Sequence, residues 1–584
     1  MAAVPFELDM GLVVRESSIQ VLIEDLEEGP IDPSNESYPY PILIKTGRLV
    51  ERTLPVIEAT NPFFRLLVAP TLGGRILTLT DLRSDNSLPP LPERLEAVSE
   101  SARRATIPHG IQLTLNGQER LTASGPVDAV VRDEGDSAEV LLAEASSYPL
   151  SWHLSVSVSA DSPQIELEAR IFNRTLDPVE YNAGLYLGSA GVQFSRTTDG
   201  FVAWVPEQRG GYVIQSDGLT HALSFGRRVS LTRFAQGRLI APHQLDTWKV
   251  VLTPLGGFSA LPRIAGRTAF SITQEEIRVA AISGEEPLKV LILTPDGETL
   301  EAPVLATVRE VKAIPLGDLA PTELVILDEH RQELVRTAPG EPMVPFAPSS
   351  PAEPEPLKAG PALEWPRQML EEASFRLEHR AICEYLLGLL DLRGRHFESA
   401  AQRFEEALLF NAEDHLAWWL KAAASRHTAE EPEPGPELPN AHFLAPMEPA
   451  LRAESLLGQP IQGDRTGNPL VAPFAKDREG AIDVACHLIE AGLYGDANRF
   501  LDEVRRHVDF PILRYLMAYT FLIGSRLDAE AAQQVAAAAR LAAEPPYPIR
   551  PMEREALSAL SARFSGDRQL EYYAGLALRA AARA

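Results

Sequence analysis

The stretch Asn61-Pro-Phe-Phe-Arg-Leu-Leu-Val-Ala-Pro-Thr-Leu-Gly-Gly-Arg-Ile-Leu-Thr-Leu-Thr-Asp81 indicates the fold more strongly than any other part of the chain. An apolar run reaches Pro70, two glycines follow, and a second apolar run begins at Arg75. Glycine pairs favour tight reversals because glycine adopts backbone conformations that other residues avoid. The stretch therefore predicts a strand, a sharp turn at Gly73-Gly74 and a second strand that opens with Arg75.

The strand pattern continues through residues 1–340. Short segments rich in Val, Ile, Leu, Thr and Phe are separated by clusters of Gly, Pro, Asn and Asp. The segment Gln164-Ile-Glu-Leu-Glu-Ala-Arg-Ile-Phe172 alternates apolar and polar residues, which is the period of a sheet with one solvated face. The best helix candidate in this half is residues 92–104. The pattern predicts an N-terminal half built of antiparallel β-sandwiches.

The number of strands exceeds what one small sandwich can hold. We therefore expect a large antiparallel β-sandwich in residues 1–250 and a small accessory β-sandwich in residues 251–338. Asp296-Gly297 predicts a hairpin turn within the accessory sandwich.

After the strands, the composition changes twice. Residues 339–364 are rich in proline and predict an extended linker. Helical patterns follow in residues 365–428 and 471–584, separated by a proline-rich break at residues 429–470. The predicted architecture is a β half followed by an α half.

The helical segments resemble tetratricopeptide repeats, which are pairs of helices with a period of about 34 residues and small residues where they cross. The first matching segment contains Gly388, Phe397, Ala400, Phe404 and Ala407. The second contains Gly492, Tyr494, Ala497, Leu501 and Val504. The resemblance implies a surface for a protein partner; packing on the β half and self-association are equally compatible alternatives.

The β half resembles galactose-mutarotase-like β-supersandwich proteins. The likeness lies in Tyr38-Pro-Tyr-Pro, in the hairpin of residues 61–81, and in a long strand that ends in Asn173-Arg174-Thr175. It is nearest to a bacterial domain of unknown function that is often followed by tetratricopeptide repeats. The resemblance implies a carbohydrate ligand on the concave face of a sheet.

One departure from that group bears on catalysis. The segment from His109 to Gln112 has an amide at Gln112, where the related domain has a carboxylate. An amide does not act as an acid or a base near neutral pH. We therefore expect a carbohydrate-recognition or assembly scaffold. The alternative is a sugar-processing enzyme, glycoside hydrolase-like or aldose epimerase-like, acting on the concave face, so whether the chain is an enzyme stays open.

The resemblance suggests five ligand-binding candidates, namely Arg75, His109, Gln112, Asp217 and His221. Arg75 can hold a sugar hydroxyl or carboxylate, or instead pair with an acid or a carbonyl. His109 can act as an acid, or is instead a histidine of the surface or of a turn. Asp217 and His221 lie four residues apart in a glycine-containing loop and can converge on a ligand, or instead belong to a solvated turn.

Charge and composition limit the remaining classes of function. The formal net charge of −27 repels nucleic acid and anionic membrane surfaces. Neither a signal peptide nor an apolar run long enough to span a membrane is visible, so a cytoplasmic location is expected. Cys383 and Cys486 are isolated, which argues against a disulfide or a zinc site. No P-loop or dinucleotide motif is present, and we expect neither cofactor nor metal. His243 precedes a strand and is expected on an edge loop.

Overall fold

Mostly antiparallel strands form the described part of the N-terminal half, where only β1 and β6 pair in parallel, and helices form the described part of the C-terminal half. The computed structural model describes residues 11–338 and 367–581, apart from positions 36, 90–92, 100–102, 116–121, 145–146, 189–191, 198, 217, 226–227, 235–236, 320, 430–437 and 460–468. The predicted fold class, a β-sandwich half followed by tetratricopeptide-like helices, is confirmed.

The strands are, in chain order, β1 (Val13–Glu28), β2 (Leu43–Thr60), β3 (Phe64–Ala69), β4 (Arg75–Asp81), β5 (Asn86–Leu88), β6 (Arg94–Leu95), β7 (Gly110–Thr114), β8 (Asp128–Asp133), β9 (Ser137–Glu144), β10 (Leu150–Ser159), β11 (Ile165–Asn173), β12 (Val179–Tyr181), β13 (Gly184–Gly188), β14 (Gln193–Thr197), β15 (Gly200–Val205), β16 (Gly210–Gln215), β17 (His221–Phe225), β18 (Arg228–Thr232), β19 (Arg238–Ile240), β20 (Leu245–Gly256), β21 (Arg263–Ala265), β22 (Thr268–Ile272), β23 (Glu276–Ala281), β24 (Glu285–Leu293), β25 (Thr299–Thr307), β26 (Lys312–Pro315), β27 (Glu323–Leu327) and β28 (Glu333–Thr337).

The helices are α1 (Arg367–Ser374), α2 (Arg380–Arg393), α3 (Phe397–Phe410), α4 (His415–Thr428), α5 (Leu438–Leu444), α6 (Pro449–Leu457), α7 (Ala472–Lys476), α8 (Arg478–Glu490), α9 (Tyr494–Arg505), α10 (Pro511–Tyr519), α11 (Asp528–Ala538), α12 (Pro551–Arg563) and α13 (Arg568–Ala581).

Two sheets pack face to face in the large sandwich. The ten-stranded sheet has the order β17-β18-β13-β7-β4-β3-β2-β1-β6, with β5 beside β4. The eight-stranded sheet has the order β14-β15-β16-β20-β11-β10-β9-β8. Leu66 and Ile76 from the first sheet and Trp152 and Leu167 from the second belong to one buried core. Because side chains alternate between the two faces of a strand, the period-2 segment of β11 buries one face in this core.

The predicted hairpin between β3 and β4 is confirmed. Gly73 and Gly74 have φ values of 71° and 66°, which glycine adopts without strain. A Cβ atom at Gly73 would lie 2.0 Å from the carbonyl oxygen of Ala123. The turn therefore needs glycine for both its backbone conformation and its close packing.

A smaller sandwich follows the large one. Its two four-stranded sheets have the orders β21-β22-β23-β26 and β25-β24-β27-β28, and they enclose Phe270, Val290 and Ile326. The turn that joins β24 to β25 contains Asp296-Gly297, as predicted, with a φ of 81° at Gly297. Strand β20 spans position 250, so the chain leaves the large sandwich only after Gly256.

The helices pack as antiparallel hairpins such as α2–α3 and α8–α9. Gly388 of α2 faces Phe404 of α3 so closely that a Cβ atom would lie 2.8 Å from the ring. Ala400 of α3 and Ala497 of α9 are fully buried. These small residues allow the close helix crossings that the repeat resemblance implies.

Two segments differ from their predictions. The helix predicted at 92–104 is wrong in its described part, where β6 pairs with β1 and Val98 bridges Thr106. The backbone N–H of Ala97 donates to the Glu24 carboxylate at 2.9 Å. Contacts with the sheet therefore satisfy backbone groups that would bond to one another within a helix. In the C-terminal half, α5 and α6 lie within the interval 429–470 that the sequence assigned to a break.

None of the helices within the described ranges has the length and apolar character needed to cross a lipid bilayer.

Candidate functional site

A cleft of about 900 Å³ lies between the large sandwich and the helical half. We call it the interdomain cleft. Side chains of both halves line it, among them Tyr40, Glu144, Arg452 and Glu479. Its volume falls in the range of roughly 300–1,000 Å³ that is usual for small-molecule sites.

An aromatic ring forms part of the β wall of the interdomain cleft. The guanidinium carbon of Arg103 lies 5.5 Å from the ring centroid of Tyr40, a cation–π geometry. The Nε atom of Arg103 donates to the carbonyl oxygen of Pro41 at 2.8 Å, which holds the guanidinium in place. Burial raises the pKa of Tyr40 well above its usual range, and the charges of Glu144 and Glu479 add to this rise. Tyr40 therefore stays a neutral phenol near neutral pH.

Glu144 ends β9 on the same wall. Its Oε2 atom accepts hydrogen bonds from Thr122 Oγ1 at 2.7 Å and from Trp152 Nε1 at 2.9 Å. Trp152 is fully buried in the sandwich core, so the rigid core orients the carboxylate. Asp128, at the start of β8, also lines the cleft and interacts electrostatically with Arg452 and, more weakly, with Glu144.

The first turn of α8 forms the helical wall. Asp477 caps the helix by accepting a hydrogen bond from the Gly480 N–H at 2.8 Å. Glu479 Oε2 lies 3.1 Å from Arg550 Nη1, and its side chain is 26% exposed. Burial raises the pKa of Glu479 to about 7, and the negative charge of Glu553 contributes while Arg550 opposes the rise. This carboxyl therefore carries a proton in a large fraction of molecules near neutral pH.

Three further cations line the interdomain cleft, and one of them, Arg478, pairs with Glu544. Arg452 projects from α6 and Lys476 ends α7. Within the part of the chain that the structure describes, neither forms an ion pair. Both can therefore engage an acceptor group of a ligand.

A buried ion cluster holds the two halves together beside the cleft. Arg174, in the Asn-Arg-Thr turn after β11, donates to Glu448 from Nη1 at 2.7 Å and from Nη2 at 3.1 Å. Its Nη2 also pairs with Asp483, and Arg550 donates from Nε to Asp483 at 3.1 Å. The four side chains are at most 3% exposed. We call this set, together with Glu479 and Glu553, which pair with Arg550, the Arg174 cluster.

The charged groups in the Arg174 cluster shift one another's pKa values. Burial opposes ionisation of Glu448, but the charge of Arg174 and a hydrogen bond with His415 outweigh it and hold the pKa of Glu448 well below its usual range. The pKa of Asp483 is lowered in the same way, against its burial, by Arg174 and other nearby cations. Both acids are therefore ionised and bound to Arg174 at neutral pH.

A second contact between the halves centres on His243. Its side chain is 3% exposed, and Nδ1 lies 3.0 Å from Asp414 Oδ2 at the N-terminus of α4. The Asn411 side chain donates to the His243 carbonyl oxygen at 2.8 Å. The ring centroids of His243 and Tyr385 are 4.0 Å apart. His243 lies in the loop before β20, as predicted, and the helical half covers this loop.

Strand β9 shows the sequence signal that the helical half leaves on the sandwich. Val140 and Leu142 face the core, and the alternate residues Leu141 and Ala143 pack against Met447 of the helical half. A strand that is apolar on both faces is covered on both faces. The apolar residues on both faces of β9 are therefore the sequence signal of the interface with the helical half.

Arg75 is structural rather than ligand-facing. It has no exposed surface. Its guanidinium donates to the carbonyl oxygens of Leu72 at 2.7 Å, Ile107 at 2.6 Å, His109 at 2.8 Å and Ala123 at 2.5 Å. These bonds tie the β3–β4 turn to the segment before β7. Of the two interpretations of Arg75, the structure supports pairing with carbonyl oxygens rather than contact with a ligand.

The other described candidates, His109, Gln112 and His221, lie at different places along the ten-stranded sheet. His109 has its Nε2 atom 3.1 Å from the Leu77 carbonyl oxygen, and the side chain of Gln112, three residues on in β7, is 1% exposed. His221 begins β17, at the edge of the same sheet and three positions from β7 in the strand order. Asp217 lies outside the described residues. Arg75 and His109 come together through the hydrogen bond that the His109 carbonyl oxygen accepts from Arg75.

The described residues contain no group of three or more His, Cys, Asp or Glu side chains arranged to hold a metal ion. Cys383 and Cys486 are buried free thiols in α2 and α8.

Comparison with known proteins gives structural matches. No protein-family model matches the chain, and no curated protein matches it by sequence. A TPR-domain containing protein from Parabacteroides distasonis covers 97% of this chain and 96% of its own, with 14% identity and a TM-score of 0.38. A galactose mutarotase-like protein from Clostridium acetobutylicum covers 35% of this chain and 96% of its own, with 8% identity and a TM-score of 0.25.

A galactose mutarotase-like protein from Lactobacillus casei covers 34% of this chain and 100% of its own, with 6% identity and a TM-score of 0.23. At such identities and scores, the activities of these proteins are not transferred to this chain.

Proposed function

We propose that this protein binds a carbohydrate in the interdomain cleft. The single observation that carries the proposal is the composition of the cleft, in which tyrosine, carboxylate and cationic side chains from two halves surround about 900 Å³. Sugars present apolar C–H faces and a rim of hydroxyls. An aromatic ring such as Tyr40 packs against the first, and charged side chains exchange hydrogen bonds with the second.

This proposal moves the ligand away from the concave sheet face that the sequence resemblance implies. On that sheet, Arg75 is occupied by four carbonyl oxygens and Gln112 is 1% exposed. In the interdomain cleft, Arg452 and Lys476 carry no ion pair within the described chain. The cleft therefore offers polar groups that a ligand can engage at a smaller desolvation cost.

The helical half then serves as the second wall of the site. The buried pairs Arg174–Glu448 and His243–Asp414 fix it against the sandwich. Of the alternatives for the repeats, packing on the β half is the one these contacts support. Tetratricopeptide-like helices in this chain would thus position ligand-binding side chains such as Arg452 and Glu479.

A glycan array followed by calorimetry on the best ligands tests the proposal. We expect Tyr40→Ala to weaken binding at least about tenfold, or ~1.4 kcal/mol. Arg452→Ala tests the opposite wall without removing a folded-state ion pair. Phe375→Ala is the control, because Phe375 is 87% exposed and outside the cleft.

Absence of binding across the array would overturn the proposal. Equal affinities of the wild-type protein, Tyr40→Ala and Arg452→Ala for a bound glycan would also overturn it, because the ligand would then lie elsewhere.

A further inference from the structure

We propose that the contact between the two halves is sensitive to pH, because it is held by the protonated forms of His243, His415 and His487 and loosens when these lose their protons. Each of the three histidines lies beside a carboxylate that is at most 3% exposed, in the pairs His243–Asp414, His415–Glu448 and His487–Asp483. We call these pairs, together with the Arg174 cluster, the interdomain contact. The inference goes beyond the proposed function and does not depend on a bound carbohydrate.

The first pair joins the two halves directly. Nδ1 of His243, in the loop before β20, lies 3.0 Å from Oδ2 of Asp414, the residue that caps α4 by accepting from the Ala417 N–H at 2.9 Å. Tyr385 of α2 packs on the imidazole, and burial keeps its phenol neutral. Among the described residues, Asp414 forms an ion pair with His243 alone. Since a buried carboxylate without a cation is costly, a proton on His243 stabilises the interdomain contact.

The second pair acts through Arg174. Nε2 of His415, in α4, lies 3.1 Å from Oε2 of Glu448, the oxygen that also accepts from Arg174 Nη1 at 2.7 Å. A protonated His415 therefore adds a second cation beside the carboxylate that Arg174 binds from the sandwich. When this proton is lost, Arg174 remains the main cation at Glu448.

The groups around His415 on the sandwich side include another histidine. His415 lines a small cavity together with His153, Arg170 and Glu413. Burial lowers the pKa of His153 to about 3, and the charge of His415 adds to this effect. His153 is therefore neutral above pH 6.5 whether or not the halves are in contact. Its own influence on the contact is confined to lower pH.

The third pair lies on α8. Nε2 of His487 is 3.7 Å from Oδ2 of Asp483, and Nδ1 is 3.6 Å from Oε2 of Glu490. Asp483 in turn pairs with Arg174 and Arg550. Burial opposes a charge on His487, but Asp483 and Glu490 outweigh it and raise the pKa of His487, although Arg174 acts against the rise. The geometry of this pair thus favours the protonated imidazole.

The charge balance of the Arg174 cluster depends on these histidines. Its four carboxyl groups exceed its two guanidinium groups, and protonated His415 and His487 bring the number of cations to four. A histidine with a raised pKa stabilises the contact below its ordinary value of 6.5, and this stabilisation is lost as the pH rises through the raised value. Glu479, with a pKa of about 7, gains negative charge over the same range. Rising pH therefore leaves excess negative charge buried between the halves, and the walls of the interdomain cleft are held less firmly.

Hydrogen exchange of the full chain without ligand tests this inference. Protection factors, corrected for the intrinsic pH dependence of exchange, are measured from pH 6 to 8.5 at the N-termini of α4 and α6, which Asp414 and Glu448 cap. We expect protection there to fall about tenfold, because one proton released per opening event changes the opening constant about tenfold per pH unit. Peptides of β24, in the core of the accessory sandwich, provide the reference and should keep their protection.

Glutamine variants attribute the change to the histidines. His243→Gln and His487→Gln retain a hydrogen-bonding side chain but take up no proton, so both should show lower protection at pH 6 and a smaller fall towards pH 8.5. His427→Gln is the matched control, because His427 lies on the same helix as His415 and pairs with Asp496 within the helical half. It should leave the wild-type fall unchanged.

The wild-type series decides the inference even if a variant does not fold. Constant protection of both helix N-termini from pH 6 to 8.5 would overturn it, and so would an equal fall in the β24 peptides, since the effect would then be global. Folded His243→Gln and His487→Gln variants that both keep the full wild-type fall would overturn the role of the histidines. None of these outcomes bears on whether the interdomain cleft binds a carbohydrate.

Discussion

Arg174 and Glu448 form a bidentate ion pair whose two side chains have no exposed surface, although 274 residues separate them in the chain. Arg174 belongs to the sandwich, and Glu448 caps α6 in the helical half by accepting from the Ala450 N–H at 3.3 Å. Such a pair is satisfied only when both halves are in place. It therefore fixes the relative position of the two walls of the interdomain cleft.

Removal of the guanidinium should strongly destabilise the protein. Arg174→Met leaves Glu448 and Asp483 as buried charges without this partner, and loss of one member of a buried pair costs about 3–5 kcal/mol. Chemical denaturation followed by far-UV circular dichroism measures the change in the free energy of unfolding. Scanning calorimetry follows thermal unfolding in a separate experiment. We also expect the unfolding of the two halves to separate into two transitions.

Arg336→Met is the control for this change. Arg336 is 50% exposed and pairs with Glu323 and Glu333 on the accessory sandwich. An exposed pair contributes about 0–1 kcal/mol. If both variants lost the same small amount, Arg174 would not be the anchor between the halves.

The helix crossing at Gly388 gives a second prediction. Gly388→Ala would place a methyl group 2.8 Å from the Phe404 ring, and overpacking of this kind costs about 1–3 kcal/mol. Gly575→Ala in α13 meets no atom within 4 Å and should be neutral or stabilising, since alanine favours helix over glycine by about 1 kcal/mol. Thermal unfolding of the two variants measures the contrast. Equal midpoints would contradict the tight packing of α2 on α3.

Arg75 distinguishes a structural from a ligand-binding arginine. Arg75→Met removes the donor from four carbonyl oxygens, and each buried unsatisfied group costs about 1–3 kcal/mol. The variant should unfold at a much lower denaturant concentration. The fraction that remains folded should bind glycan with the wild-type affinity in calorimetry. Wild-type stability with weakened binding would restore the ligand role predicted from the sequence.

From the carboxyl groups of the Arg174 cluster we expect two pH ranges in which stability changes. We call the fall in stability at low pH the acid limb and the decline above pH 4.5 the second limb. Glu448 and Asp483 have lowered pKa values, so their contribution is present above their ordinary values of 4.5 and 3.8 and is lost as the pH falls through the lowered values. The contribution of Glu479 to stability changes with pH in the opposite direction. Its pKa of about 7 means that stability declines as the pH rises from 4.5 to 7.

Glu479→Gln tests the share of the second limb that this carboxyl contributes, since burial also raises the pKa of Glu553, which adds to the same limb. The variant should remove a decline of about 1–3 kcal/mol between pH 4.5 and 7 and leave the acid limb in place. Urea denaturation at a series of pH values provides the measurement. An unchanged slope above pH 4.5 would show that Glu479 does not contribute to this limb.

The elements predicted best from the sequence are those that local chemistry determines. The β3–β4 turn follows from Gly73-Gly74, and the faces of β11 follow from its period of two. In both cases the neighbouring residues alone limit the backbone. The helix predicted at 92–104 failed because Glu24, which binds the Ala97 N–H, is distant in sequence.

The site was less predictable because it depends on how two halves meet. Tyr40 and Glu479 belong to segments with no common motif, and only the packed structure brings them to one cleft. The sequence places Arg174 in a turn, and no neighbouring residue indicates its partners in α6 and α8. The apolar residues Leu141 and Ala143 on the second face of β9 were the available signal that a second half covers the sandwich.

Hydrogen–deuterium exchange with and without a bound glycan locates the ligand on the protein. We expect slower amide exchange on both walls of the interdomain cleft, in peptides around Tyr40 and Glu144 and in peptides around Arg452 and Glu479. Protection confined to the ten-stranded sheet around Gln112 and His221, with no change in the helical half, would contradict it.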